Sequence, residues 1–126
     1  MLDHEIDEFG RRLGLPGLEL NQEGRAALAV DGTGVLSLEL GLEGSDAEGD
    51  LLMALALDPV DGEGAGGLKL LRALERFDWR NALPYAASAG LVRGHLILTV
   101  RFAQEDATAA KLENAFRWFL DEASRF

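Results

Sequence analysis

Residues Gly62 to Gly67, Gly-Glu-Gly-Ala-Gly-Gly, spell a G-x-G-x-x-G pattern between an apolar run and a leucine-rich segment. In a dinucleotide site, glycines at this spacing let the backbone approach a pyrophosphate at a helix N-terminus. Here four residues separate Leu57 from Gly62, and Asp61 and Glu63 would repel phosphate. The strands before the pattern form a hairpin, and no βαβ unit with a ribose-binding acid follows, so Asp58 to Gly67 is expected to be an acidic, mobile loop. Asp31-Gly32-Thr33-Gly34 resembles the Asp-Thr-Gly turn of aspartic proteases, but the inserted glycine moves Thr33 out of register and a hairpin turn accounts for it. Asp58, Asp61 and Glu63 lack the spacing and the terminal bidentate Glu of a calcium loop. His4 and His95 have no His-x-x-x-His or Glu-x-x-His partner, and Ser37, Ser45, Ser88 and Ser124 have no nucleophile-elbow context. No catalytic, cofactor or metal site is expected, and the protein is not expected to be an enzyme.

The elements that must carry these residues fit one domain, residues 1–126. Acids number 22 against 12 Lys and Arg, a formal net charge of −10 with no basic cluster, which argues against nucleic acid and anionic membranes as partners. Cysteine is absent, so disulfides and thiolate sites are excluded. The start Met1-Leu2-Asp3-His4-Glu5 has no signal-peptide character. Leu51 to Leu57, the longest strongly apolar run, is far short of the roughly 20 residues a bilayer span needs. A soluble, cytoplasmic protein is expected.

Leu2, Ile6, Phe9 and Leu13 form one helical stripe, stopped by Gly14 and Pro16-Gly17, which leaves Leu15, Leu18 and Leu20 on a connector. Arg25 to Val30 and Val35 to Leu40 alternate on either side of Asp31-Gly32 as a hairpin. Leu51 to Leu57 is apolar on both faces, as expected of a central strand or of one covered on both sides. Leu70, Leu71, Leu74 and Phe77 share one side of a second helix, with Leu68 and Trp79 near its ends. Tyr85 to Leu91 and His95 to Phe102 predict a second hairpin, and Asp106 is the expected cap of a final helix running to about Ser124, with Leu112, Phe116 and Phe119 on its stripe. Strands arriving as hairpins predict an α+β fold in the order α-βββ-α-ββ-α, a twisted antiparallel sheet with helices packed on one side.

The length, the acidity, this element order and an opening helix that ends in Gly14-Leu15-Pro16-Gly17 resemble the class I type III secretion chaperones, the Tir-chaperone family. The likeness covers the whole chain. It includes the hairpin around Asp31-Gly32, the strand Leu51-Leu52-Met53-Ala54-Leu55, and Asn81 to Phe102 leading into a helix around Phe116-Arg117-Trp118-Phe119. One departure is the bland fourth strand, Tyr85-Ala86-Ala87-Ser88-Ala89. The resemblance implies a cytoplasmic homodimer that binds the extended amino-terminal segment of a secreted effector without ATP, keeps it competent for secretion, and needs no cofactor. On that reading Leu70, Leu71, Leu74 and Phe77 form the dimer interface. Ile6, Phe9, Leu15, Leu18, Leu28, Val30, Leu36 and Leu38 are the candidate effector contacts, although the helix and strand members are equally good core residues by periodicity. A non-secretory YbjN-like regulatory or ligand-binding module is the alternative of another class, and a small hydrolase the weakest.

Overall fold

Leu2–Arg12 form helix α1, with Asp3 and Glu5 in the first turn and Arg11 and Arg12 in the last, each favourably placed in the helix dipole. The helix ends in a Schellman turn. The Leu15 amide donates to the Gly10 carbonyl at 2.7 Å and the Gly14 amide to that of Arg11 at 3.0 Å, while Gly14 takes φ 80°. The structure, a computed structural model, describes all residues except Met1, Leu42, Ala47, 59–64, 79–82 and Phe126, and of 65–70 the backbone alone.

Strands β1 (Arg25–Val30) and β2 (Gly34–Leu40) form the first hairpin. Its turn spans Asp31, Gly32 and Thr33, longer than the Asp-Gly pair alone, because Val30 pairs with Gly34. Gly34 is obligatory there: a Cβ would lie 1.9 Å from the Ala56 carbonyl oxygen of β3 (Asp50–Leu57). Helix α2 (Ala65–Arg76), strands β4 (Ala86–Val92) and β5 (His95–Ala103), and helix α3 (Ala109–Ala123) complete the chain. The sheet order is β1-β2-β3-β5-β4 with every neighbouring pair antiparallel, so β3 is the central strand, as its two apolar faces allow.

Several local expectations are corrected. Because β3 and β4 each run antiparallel to β5, they are parallel to one another, and α2 is a crossover between them with β5 inserted. Helix α2 begins at Ala65, so the last three residues of the expected loop are helical. The cost of Gly66 and Gly67 is outweighed by packing of the helix against β4. The rest of that loop, residues 59–64, and Trp79 lie outside the described residues. The cap of α3 is Thr108, whose hydroxyl accepts the Lys111 amide at 3.3 Å, whereas Asp106 closes a 3-10 turn and pairs with the Lys111 ammonium at 3.5 Å. Tyr85 precedes β4, its ring 5.2 Å from Trp118 and 6.3 Å from Phe102. The second hairpin closes on Arg93-Gly94 alone, with φ 51° and 82°, the positive pair of a type I′ turn.

The core lies on one face of the sheet. Leu36 and Leu38 of β2, Leu51, Met53, Leu55 and Leu57 of β3, and Leu96, Leu98, Val100 and Phe102 of β5 meet Ile6 and Phe9 of α1 and Leu112, Phe116 and Phe119 of α3. Phe9 sets its ring edge-on to Phe116 at 6.3 Å.

Candidate protein-binding surfaces

Among the described residues, two of the apolar surfaces left after the core is filled lie at the ends of the sheet. The first flanks the β1 edge. From the end of α1 the connector turns back on the helix: Gly17 donates its amide to the Asp7 carboxylate at 3.3 Å, and Gly10 has no Cβ to collide with Leu18. At its far end the Asn21 carboxamide oxygen accepts the amides of Glu23 and Arg25, both at 3.0 Å, which delivers the chain into β1. This path leaves Leu15 exposed at 41% and Leu13, Leu18, Leu20, Leu28 and Val30 half-buried against the core margin. Ile6, Phe9, Leu36 and Leu38 are buried completely or nearly so in the chain's own core, as their periodicity equally allowed. Of the candidate effector contacts, Leu15, Leu18, Leu28 and Val30 therefore keep accessible surface. β1 pairs only with β2 among the described strands; at the start of its other edge the Arg25 amide and carbonyl are engaged by Asn21, and the edge beyond Arg25 has no described strand beside it.

The second surface lies at the other end of the sheet, where α2 packs beside β4. Leu71 is 60% exposed, Leu74 46% and Leu91 of β4 55%. Phe77, grouped with these leucines by helical spacing, instead belongs to the core: it is 8% exposed and its ring meets Trp118 at 5.5 Å. The i, i+4 relation to fully buried Ala73 carries it inward. The side chain of Leu70 lies outside the described residues. Leu91 escaped notice in the sequence because Tyr85 to Leu91 has few large side chains. Its register opposite Leu96 across the Arg93-Gly94 turn marks it as facing the helix side.

Among the described residues no group of His, Asp and Glu could hold a metal ion. The His95 ring is engaged through Nδ1 with the Leu57 carbonyl oxygen at 3.0 Å, at the rim of an open cleft of about 330 Å³ whose floor is Val35, Ala56, Val92 and Ile97. No described helix is long and apolar enough to cross a membrane.

The model of the Tir chaperone protein (CesT) family matches residues 4–126. The chain belongs to this family. No curated protein matches the chain by sequence. Solved structures that share the fold include the ExsC–ExsE complex, at 26% identity and a TM-score of 0.73, covering 97% of this chain and 87% of that one. The Yersinia pestis type III secretion chaperone SycH, solved with a stable fragment of YscM2, gives 20% identity and a TM-score of 0.68, covering 99% of this chain and 98% of that one. The ExoT–SpcS complex from Pseudomonas aeruginosa gives 18% identity and a TM-score of 0.65, covering 97% and 93%. The Tir-chaperone fold thus spans essentially the whole chain, with both surfaces inside the matched region.

Proposed function

We propose that this chain is a cytoplasmic type III secretion chaperone that binds the extended amino-terminal segment of an effector protein, keeps it secretion-competent without ATP, and works as a homodimer. The observation that carries the reading is membership of the Tir-chaperone family over residues 4–126. The physical logic agrees with it. An extended polypeptide can add to the open edge of β1 through main-chain hydrogen bonds while alternate side chains rest on Leu15, Leu18, Leu28 and Val30. A net charge of −10 keeps such an apolar shelf soluble and favours a basic client. Leu71, Leu74 and Leu91 are the exposed apolar residues that a second copy would cover. The family carries out binding, and no turnover is assigned to this chain.

Co-purification with the amino-terminal segment encoded by the neighbouring reading frame tests the reading. Wild type should retain the segment. Leu18→Glu should lose most of it, since binding would bury an unpaired carboxylate, while the fold survives because Leu18 is only half-buried. Equal recovery with both proteins removes Leu18 as a contact, and no recovery with either removes the chaperone reading for that client.

A further inference from the structure

Helix α2 turns different faces to its surroundings. Ala73 and Phe77 are buried, while Leu71 and Leu74 stand open to solvent. Arg76, the last residue of the helix, reaches α3. Its Nε donates to one carboxylate oxygen of Glu122 at 3.0 Å and its Nη2 to the other at 2.8 Å. The Glu122 side chain is 1% exposed and is the buried charged group of the described core. Arg125 stands 4.0 Å from the same carboxylate but is engaged with Asp121 at 3.0 Å. The hydrogen bond to Glu122 pushes the Arg76 guanidinium above the ordinary arginine range, against the opposing effect of burial.

At about 100° per residue, Leu71 and Leu74 lie roughly 60° apart and about 140–160° around the helix from Arg76. The cation pinned to α3 therefore sits across the helix from the two exposed leucines. The pair is part-buried, with the Arg76 side chain 33% exposed; such a pair is a weak source of stability, since apolar residues of similar volume often replace an ion pair without loss, but a planar two-bond fork fixes orientation. Beside the pair, among the described residues, lies an open cleft of about 340 Å³ lined by Arg72, Glu75, Arg76, Glu122 and Arg125. We infer that Arg76 and Glu122 are a positioning pair for self-association, fixing the roll of α2 that presents Leu71 and Leu74 to a second copy of this chain. The inference rests on the homodimer proposed above.

Sedimentation equilibrium on the full chain tests it with wild type, Glu122→Gln and the double variant Arg76→Met/Glu122→Leu. Wild type should be a dimer. The double variant should weaken association by about tenfold or more, and Glu122→Gln, which keeps the shape but not the charge, by severalfold. In a Leu71→Asp monomer background the double substitution should leave the thermal midpoint within a few degrees, a result that a purely stabilising pair would not give. Unchanged association in either folded variant overturns the positioning role alone. Unfolding of both variants in the monomer background assigns the pair to stability and also overturns it. A monomeric wild type removes the homodimer itself, and the inference with it, before any variant is compared.

Discussion

At the residue scale, two glycines constrain the fold through atoms they lack. A Cβ at Gly10 would sit 2.6 Å from the Leu18 Cβ and 2.7 Å from the Leu15 carbonyl oxygen, so α1 and its connector close on each other only around a hydrogen atom. Alanine is worth up to about 1 kcal/mol over glycine inside a helix, yet overpacking against backbone typically costs about 1–3 kcal/mol. Gly10→Ala should therefore lower the urea midpoint, and an unchanged or raised midpoint would contradict the close approach. Gly34→Ala meets a backbone oxygen at 1.9 Å and φ 157°, and should cost more, on the order of 3 kcal/mol or above. Neither glycine announces itself in the sequence as anything but a helix interior residue and a turn residue. What makes them obligatory is a neighbour 8 and 22 residues away.

At the scale of elements, helix ends and strand ends depart most from periodicity. Asp106 and Thr108 are both competent caps by type, and only the 3-10 turn of Gln104–Asp106 decides between them by delivering Thr108 in an extended conformation at the start of α3. Thr108→Ala should cost about 1 kcal/mol, whereas Asp106→Ala, which removes an exposed pair with Lys111, should stay within about 0.5 kcal/mol. Thermal denaturation of the two variants distinguishes the caps, and the reverse order would reinstate Asp106. The glycine-rich stretch before α2 belongs to this scale too. Although its last two glycines, Gly66 and Gly67, are helical, β5 lies between the two parallel strands that α2 joins, unlike the adjacent strands of a dinucleotide fold. Calorimetric titration with NAD or ATP should show no heat of binding, and micromolar affinity would revive the fingerprint.

At the scale of the whole molecule, the proposed homodimer would cover leucines that the single chain leaves open. Leu71→Asp places a charge on a side chain 60% exposed, so the monomer should keep its circular dichroism and sediment as a single copy. Loss of the fold would place Leu71 in the core instead. The element order, the antiparallel class and the core stripes of α1 and α3 were legible from residue types alone, because hydrophobic period and turn chemistry are local properties that survive tertiary packing, whereas the sheet order made β3 the central strand. The sequence by itself also excluded cysteine chemistry and set the acidity outright. Only the tertiary structure separated Leu71 and Leu74 from Phe77, since all three lie on one broad helical arc and the position of Trp118 decides which part of that arc is covered. The same holds for Ile6, Phe9, Leu36 and Leu38 against Leu15, Leu18, Leu28 and Val30: every one is apolar, and burial depends on how many layers pass over it. The pairing of Arg76 with Glu122 across 46 residues was beyond reach for the same physical reason, because nothing local to either residue records which helix the fold will set beside it.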